Sequence, residues 1–303
     1  MTTILRFYVL YLSITKYLTL HTMKNLIYPC LTIRGKIAEA SDFYIQTFGE
    51  GKILQTSPIV IQIELSGQKF MLLNDGPTSS PTPSISFMVI CKSTEEAEKY
   101  WNKLIEGGKV LMPLDSYDWS PKYGWVQDKY GVSWQIYTGD KPDSQQQKFS
   151  PTLMFTGDGA GKAENAVHFY TELFPQSNIE GVLKYSKDDE DKEEFVKHAQ
   201  FKIKDYVVMA MDSSADHAFG FTDAISLVVE CENQEEIDKY WDELTTNGGM
   251  EIACGWLVDK YGISWQIIPK AIVQLVTDPV RGQRAMGALM KMKKLIIADL
   301  ENA

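Results

Sequence analysis

The sequence predicts an α+β fold in which one domain occurs twice and is followed by a helical tail. Three observations lead there. Four sequence blocks recur in the same order, each copy switches between strand-like and helix-like periods, and residues from 271 onward change character. Asp42-Phe-Tyr-Ile-Gln-Thr-Phe-Gly49 returns as His168-Phe-Tyr-Thr-Glu-Leu-Phe-Pro175, and Ile85-Ser-Phe-Met-Val-Ile-Cys91 as Ile225-Ser-Leu-Val-Val-Glu-Cys231. Glu95-Glu-Ala-Glu-Lys-Tyr-Trp101 returns as Glu235-Glu-Ile-Asp-Lys-Tyr-Trp241. The strongest block, Gly124-Trp-Val-Gln-Asp-Lys-Tyr-Gly-Val-Ser-Trp-Gln-Ile136, returns as Gly255-Trp-Leu-Val-Asp-Lys-Tyr-Gly-Ile-Ser-Trp-Gln-Ile267. Self-similarity at a fixed spacing is the mark of a repeated structural unit.

Each copy opens on an extended run (27–33; 152–156) that leads into an amphipathic helix ending near Phe48 or Phe174. Strand-like stretches follow at 60–65 and 70–73, matched by 199–203 and 207–211. The β-rich run 85–91 then precedes a second helix, for which Ser93 and Asn233 are placed as N-caps with glutamates in the first turn. Ala97, Tyr100, Trp101 and Leu104 form its apolar stripe, and Gly107-Gly108 or Gly248-Gly249 stops it. A hairpin turned by Lys-Tyr-Gly and a final strand close the copy. The order is strand, helix, strands, then the same again. The boundaries expected are a copy over 24–140, a polar linker over 141–150, a copy over 151–270 and a tail over 271–303. Residues 1–23 read as an extension or a misassigned start ahead of Met23, with a targeting segment as the alternative. The charge run 186–194 reads as a solvated hairpin tip. In the tail, Asp278-Pro279 reads as an N-cap followed by proline at N1, opening one or two helices that dock on a domain or a second subunit.

The chain has 303 residues, 44% of them apolar, which suffices for two domains. Its net charge of −10 argues against a nucleic-acid or anionic-membrane partner, since both reward a basic face. Four widely spaced cysteines with no CxxC suggest a reduced, cytoplasmic protein. No nucleophile elbow, P-loop, dinucleotide-binding fingerprint or methyl-donor glycine motif occurs.

The helix Asp42-Phe-Tyr…Phe48-Gly49 and the closing strand Asp-Lys-Tyr-Gly-x-Ser-Trp-Gln-Ile resemble the vicinal oxygen chelate superfamily of glyoxalases, bleomycin-resistance proteins and dioxygenases. The opening from Met23 to Tyr44, the closing strand and the tail RAMGALMKMKKLIIADLENA resemble its PhnB-like subgroup, labelled 3-demethylubiquinone methyltransferase. The resemblance implies glyoxalase-like domains, each a pair of βαβββ units curling around a cavity. It also implies a divalent metal held by His or Glu from the first, fifth and last strands. Here those positions fall at or near Pro29 and Pro151, Ser86 and Ser226, and Gln135 and Gln266. None is a carboxylate or imidazole, so no metal and no cofactor is expected.

Alternation along the closing strands turns Ser133, Gln135 and Tyr137 toward the cavity, with Ser264 and Gln266 in the second copy, and buries the tryptophans. These residues, with Ser86 and Ser226, are the candidate substrate-binding set. The second copy adds His198, Asp212 and His217 as candidate acid–base groups, the plain alternative being structural or exposed side chains. Three readings stay open. The first is a metal-free small-molecule binder. The second is an enzyme of isomerase, lyase or transferase type using the second copy's polar groups. The third is an assembly module. A homodimer is left open.

Overall fold

The computed structural model describes residues 26–74, 79–139, 147–189 and 191–303. The expected extension over 1–23 and most of the linker fall outside them. The first unit comprises β1 (Ile27–Thr32), α1 (Ile37–Phe48), β2 (Gly51–Thr56), β3 (Val60–Leu65) and β4 (Gln68–Leu73). The second comprises β5 (Ile85–Cys91), α2 (Thr94–Leu104), β6 (Lys109–Tyr117), β7 (Ser120–Gln127) and β8 (Ser133–Thr138). The second copy repeats both. Its first unit is β9 (Phe149–Phe155), α3 (Ala163–Leu173), β10 (Asn178–Lys184), β11 (Val196–Ile203) and β12 (Tyr206–Asp212). Its second is β13 (Ile225–Cys231), α4 (Gln234–Thr245), β14 (Met250–Glu251), β15 (Trp256–Val258) and β16 (Ser264–Pro269). Three short helices form the tail: α5 (Ile272–Thr277), α6 (Gly282–Leu289) and α7 (Ile297–Glu301).

The four units assemble into two eight-stranded sheets, ordered β14-β15-β16-β13-β1-β4-β3-β2 and β10-β11-β12-β9-β5-β8-β7-β6. Each sheet joins one unit from each copy, through the antiparallel pairs β1–β13 and β5–β9. The repeat blocks carry no information on this pairing, because like units can pair within a copy or across it.

Within a copy the two units meet through their helices instead. Tyr44 of α1 donates to Asp128 Oδ2 at 2.9 Å, and Trp134 Nε1 donates to the same oxygen at 2.8 Å. Asp128 Oδ1 accepts the backbone N–H groups of Tyr130 and Val132, closing the β7–β8 turn. In the second copy Asp259 takes the same four bonds from Tyr170, Trp265, Tyr261 and Ile263. One buried carboxylate thus ties the Phe-Tyr helix, the Lys-Tyr-Gly turn and the Ser-Trp strand together, which explains why the three blocks recur as a set. Trp134 and Trp265 are fully buried, as alternation predicts. Ser93 and Asn233 cap α2 and α4 through bonds from Glu96 N and Glu236 N, also as expected.

Two expectations change. β9 opens at Phe149, inside the stretch read as linker, because side chains hold its main chain in place. Gln68 Oε1 accepts from the N–H groups of Lys148 and Phe149, and Gln147 bonds both N and O of Val207. Asp278 Oδ1 does accept from Val280 N and Arg281 N, yet α6 itself begins at Gly282, one turn later.

The copies also diverge. Between the double glycine and the Gly-Trp of the closing block, the first copy has fifteen residues (109–123) and the second has five (250–254), a difference of ten. The ten extend β6 and β7 into a long hairpin, while β14 and β15 stay short. The tail takes the missing hairpin's place. Cys254 N donates to Met292 O and Gly255 N to Lys293 O, both at 2.8 Å. A Cβ at Gly124 would stand 2.9 Å from Leu114 of the hairpin, and one at Gly255 would stand 3.1 Å from Leu295 of the tail. Both glycines let a neighbouring chain lie against the strand, and Gly255, at φ +83°, also needs its backbone freedom.

Candidate functional site

Period-two alternation gives each sheet a helix-facing side and an opposite, concave side. In the second sheet the concave side is laid out by register. One row runs Gln200–Met209–Thr152–Ser86–Ser133–Gln127 across six strands. The next runs Ser150–Met88–Gln135–Trp125–Met112. The expected residues Ser86, Ser133, Gln135 and Tyr137 share this face, as do Met154 and Met211 beside them.

Gln135 organises the centre. Its Nε2 donates to Ser86 Oγ at 2.7 Å and its Oε1 accepts from Tyr123 OH at 2.8 Å. Burial raises the Tyr123 phenol well above its ordinary range, so it stays a neutral donor. Ser133 Oγ and Trp125 Nε1 are buried on the same face with no hydrogen-bond partner among the described residues. Met88, Met112, Trp125, Tyr137 and Met211 are only half-buried, so part of the face meets solvent. The result is a neutral, methionine-rich surface with a hydrogen-bonded amide at its middle. Sequence reasoning missed the methionines and Tyr123. The signal available was alternation, applied to all strands rather than to the closing one.

The equivalent face of the first sheet differs. Gln266 Nε2 donates to Ser226 Oγ at 3.0 Å, reproducing the amide–serine pair. Ser264, two residues before Gln266 on the same strand and opposite Ser226, shares the face, and its buried Oγ has no partner among the described residues. Here, however, the tail covers the strands. Leu295 and Leu300 are buried against Tyr28, Cys30, Met71, Val228 and Ile268, with Leu275, Leu289 and Met292 packed around them. Salt bridges from Lys294 to Asp238 and Asp242 hold the tail in place, and so do the bonds from Gln234 Nε2 to Leu295 O and from Ile297 N to Gln234 Oε1.

The superfamily's dication does not fit either face. Pro29 pairs with Leu227 and Pro151 with Phe87, both core residues on the helix side. The concave first-strand positions are therefore Cys30 and Thr152, not the prolines. The donor sets become Thr152, Ser86 and Gln135, or Cys30, Ser226 and Gln266, all neutral. Burial pushes the Cys30 thiol up to about 12, partly offset by hydrogen bonds with Gln266 and Ser226, which disfavours a thiolate there. Divalent ions need anionic or imidazole donors. Among the described residues no group of three His, Cys, Asp or Glu side chains comes together elsewhere.

The three acid–base candidates stand apart in their bonding. Asp212 is buried at the end of β12 and accepts from the N–H groups of Gly161, Ala163 and Val196, which anchors the start of α3. Burial raises its carboxyl, and those N–H groups pull it back. His217 Nε2 lies 2.9 Å from Ser213 Oγ in the following loop, and its ring packs on Phe219. His198, on β11, shares the concave side with Met211, one strand in from the far edge of the sheet. Its side chain reaches solvent, and desolvation by the surrounding strands lowers its pKa, which favours the neutral imidazole.

Paired βαβββ units, two sheets and amide-centred concave faces define a tandem protein of glyoxalase-like fold. Glyoxalase I from Zea mays is similar over 80% of this chain and 91% of its own, at 12% identity and a TM-score of 0.53. A point mutant of that enzyme gives 0.57 at 11% identity over the same shares, a likeness of fold. The PhnB protein of Bacillus cereus is 35% identical over 36% of this chain and 96% of its own, with a TM-score of 0.35. No curated protein matches the chain. Residues 25–137 and 147–268 both match the family described as 3-demethylubiquinone-9 3-methyltransferase, and the chain belongs to that family. Among the described residues no helix is long and apolar enough to cross a membrane.

Proposed function

We propose that this protein binds a small organic molecule on the concave face of the second sheet, without a metal. The observation that supports this is the arrangement around Gln135. A fixed amide, an adjacent unpartnered Ser133 hydroxyl and the unpartnered Trp125 indole N–H sit among methionine side chains. Buried donors without partners cost about 1–3 kcal/mol each, so a ligand carrying acceptor oxygens is rewarded for meeting them. Methionines adapt to irregular apolar shapes. The first sheet's equivalent face, covered by the tail, is not part of the site, so one ligand per chain is expected. An enzymatic use has one supporting observation: His198 stands on the same face, where desolvation lowers its pKa and favours the proton-accepting form.

The test is a thermal-shift screen of the full chain against a metabolite and drug panel, with and without chelator, followed by Gln135→Leu. A ligand that binds only the folded state raises Tm by mass action. Chelator-insensitive hits whose affinity falls about tenfold in Gln135→Leu, equivalent to ~1.4 kcal/mol, support the proposal. Stabilisation by divalent metals alone, or hits indifferent to Gln135→Leu, would refute it.

A further inference from the structure

The ten extra residues of the first copy build a feature that the second copy lacks. At the tip of the β6–β7 hairpin a cavity of about 570 Å³ is lined by Tyr117, Trp119 and Tyr137 with Ser116, Asp118 and Ser120. That volume lies within the usual range for small-molecule sites. The rings are mutually fixed. Tyr117 stacks on Trp119 with centroids 4.9 Å apart, and both meet Tyr123 edge-on at 5.7 and 5.8 Å. Tyr117 OH is anchored on Pro113 O at 3.1 Å. The Tyr137 hydroxyl lies against Gly139, where a Cβ would come within 2.2 Å of it. Even so, Trp119 is left 57% exposed at the rim.

Among the described residues that line this cavity, the charge is of one sign. Asp118 lines it and Asp115 lies opposite Tyr123 in the strand register. The nearby cation, Lys122, is turned to the helix side, where it pairs with Glu98 at 3.2 Å. Aromatic rings bordered by carboxylates attract organic cations, through the negative ring faces and the carboxylate charge together. The chain's net charge of −10 works in the same direction. The cavity is also continuous with the concave face: Tyr137 belongs to both, and Tyr123 carries the hydrogen bond to Gln135.

We propose that the hairpin tip is a subsite for a protonated amine or quaternary ammonium group, so that the ligand class is an organic cation whose apolar body lies along the methionine face. This rests on the binding reading above and is tested separately from it. The full chain is titrated calorimetrically with choline and with its neutral carbon isostere, 3,3-dimethylbutan-1-ol. Choline should bind about tenfold more tightly than the isostere, and Trp119→Ala and Asp118→Asn should each remove most of that preference. Trp119 is exposed, so its variant keeps the fold, and unchanged far-UV circular dichroism verifies this. Equal affinity for the two probes, or a preference that survives Trp119→Ala, overturns the subsite. Neither outcome touches the concave-face proposal, which is judged on uncharged panel ligands and Gln135→Leu.

Discussion

Replacing Asp128 by Asn changes one atom's chemistry at the point where three sequence blocks meet. The carboxylate accepts four bonds, two from backbone N–H groups through Oδ1 and two through Oδ2 from Tyr44 OH and Trp134 Nε1. An Asn side chain can keep the backbone pair with its carbonyl. Its NH2 then faces Trp134 Nε1–H, which can only donate. The Tyr44 hydroxyl can turn and accept, so its bond is retained in neutral form. The loss is one charge-assisted bond of about 1.5–3 kcal/mol together with a buried, unpartnered indole N–H worth about 1–3 kcal/mol. Burial raises the Asp128 carboxyl above its ordinary value, so removing the charge recovers part of this. The expected net loss is about 2–4 kcal/mol, measured by urea unfolding followed by tryptophan fluorescence. Trp134→Phe removes the stranded donor, so the double variant should be about 1–2 kcal/mol more stable than additivity allows. A loss below about 0.5 kcal/mol, or strict additivity, would show that the carboxylate is not the joint described here. Asp259→Asn should behave alike, since its four bonds are the same.

Two further outcomes follow from the packing. Desolvation alone would raise the Glu96 carboxyl, yet Lys148 Nζ, the Lys92 N–H and Tyr100 OH pull it down to about 2. A depressed carboxyl stabilises above its unfolded value and loses that stabilisation as pH falls through its folded value. Acid unfolding should therefore draw on this pair between about pH 4.5 and 2, by ~1–3 kcal/mol after screening, and Glu96→Gln should flatten the curve there. An unchanged slope between these pH values would sink the assignment. Leu300→Ala removes a buried tail side chain and should cost about 2–5 kcal/mol if the tail folds with the first sheet. A loss under about 1 kcal/mol would mean the tail docks only loosely.

The local structure of each copy was readable because it depends on neighbours in sequence. The Ser93 and Asn233 caps, the Ala97–Leu104 stripe and the buried tryptophans follow from helix and strand periods. The facing of the candidate residues was readable where the strand period applied: Ser86, Ser133, Gln135 and Tyr137 share one face, as alternation requires. What failed was placement by homology of spacing. The first-strand position, expected at or near Pro29 and Pro151, falls on the adjacent Cys30 and Thr152, since a one-residue slip reverses the face of a strand. The tail's destination was out of reach, because Leu295 and Leu300 pair with a surface that sequence periodicity cannot orient. The ten-residue hairpin difference was visible in the spacing between the glycine pairs and the Gly-Trp blocks. Its meaning depended on knowing what fills the same position in the other copy.

The exchange of units between sheets bears on how the chain is made. Tyr28 of β1 bonds to Glu230 of its partner strand β13, 202 residues later. At ribosomal rates of 5–20 residues per second, β1 waits about 10–40 s for the strand that completes its edge. β5 and β9, adjacent in the chain's middle, can pair long before that. The second sheet should thus form first and the outer units last, with the first unit's apolar strands bare in the interval.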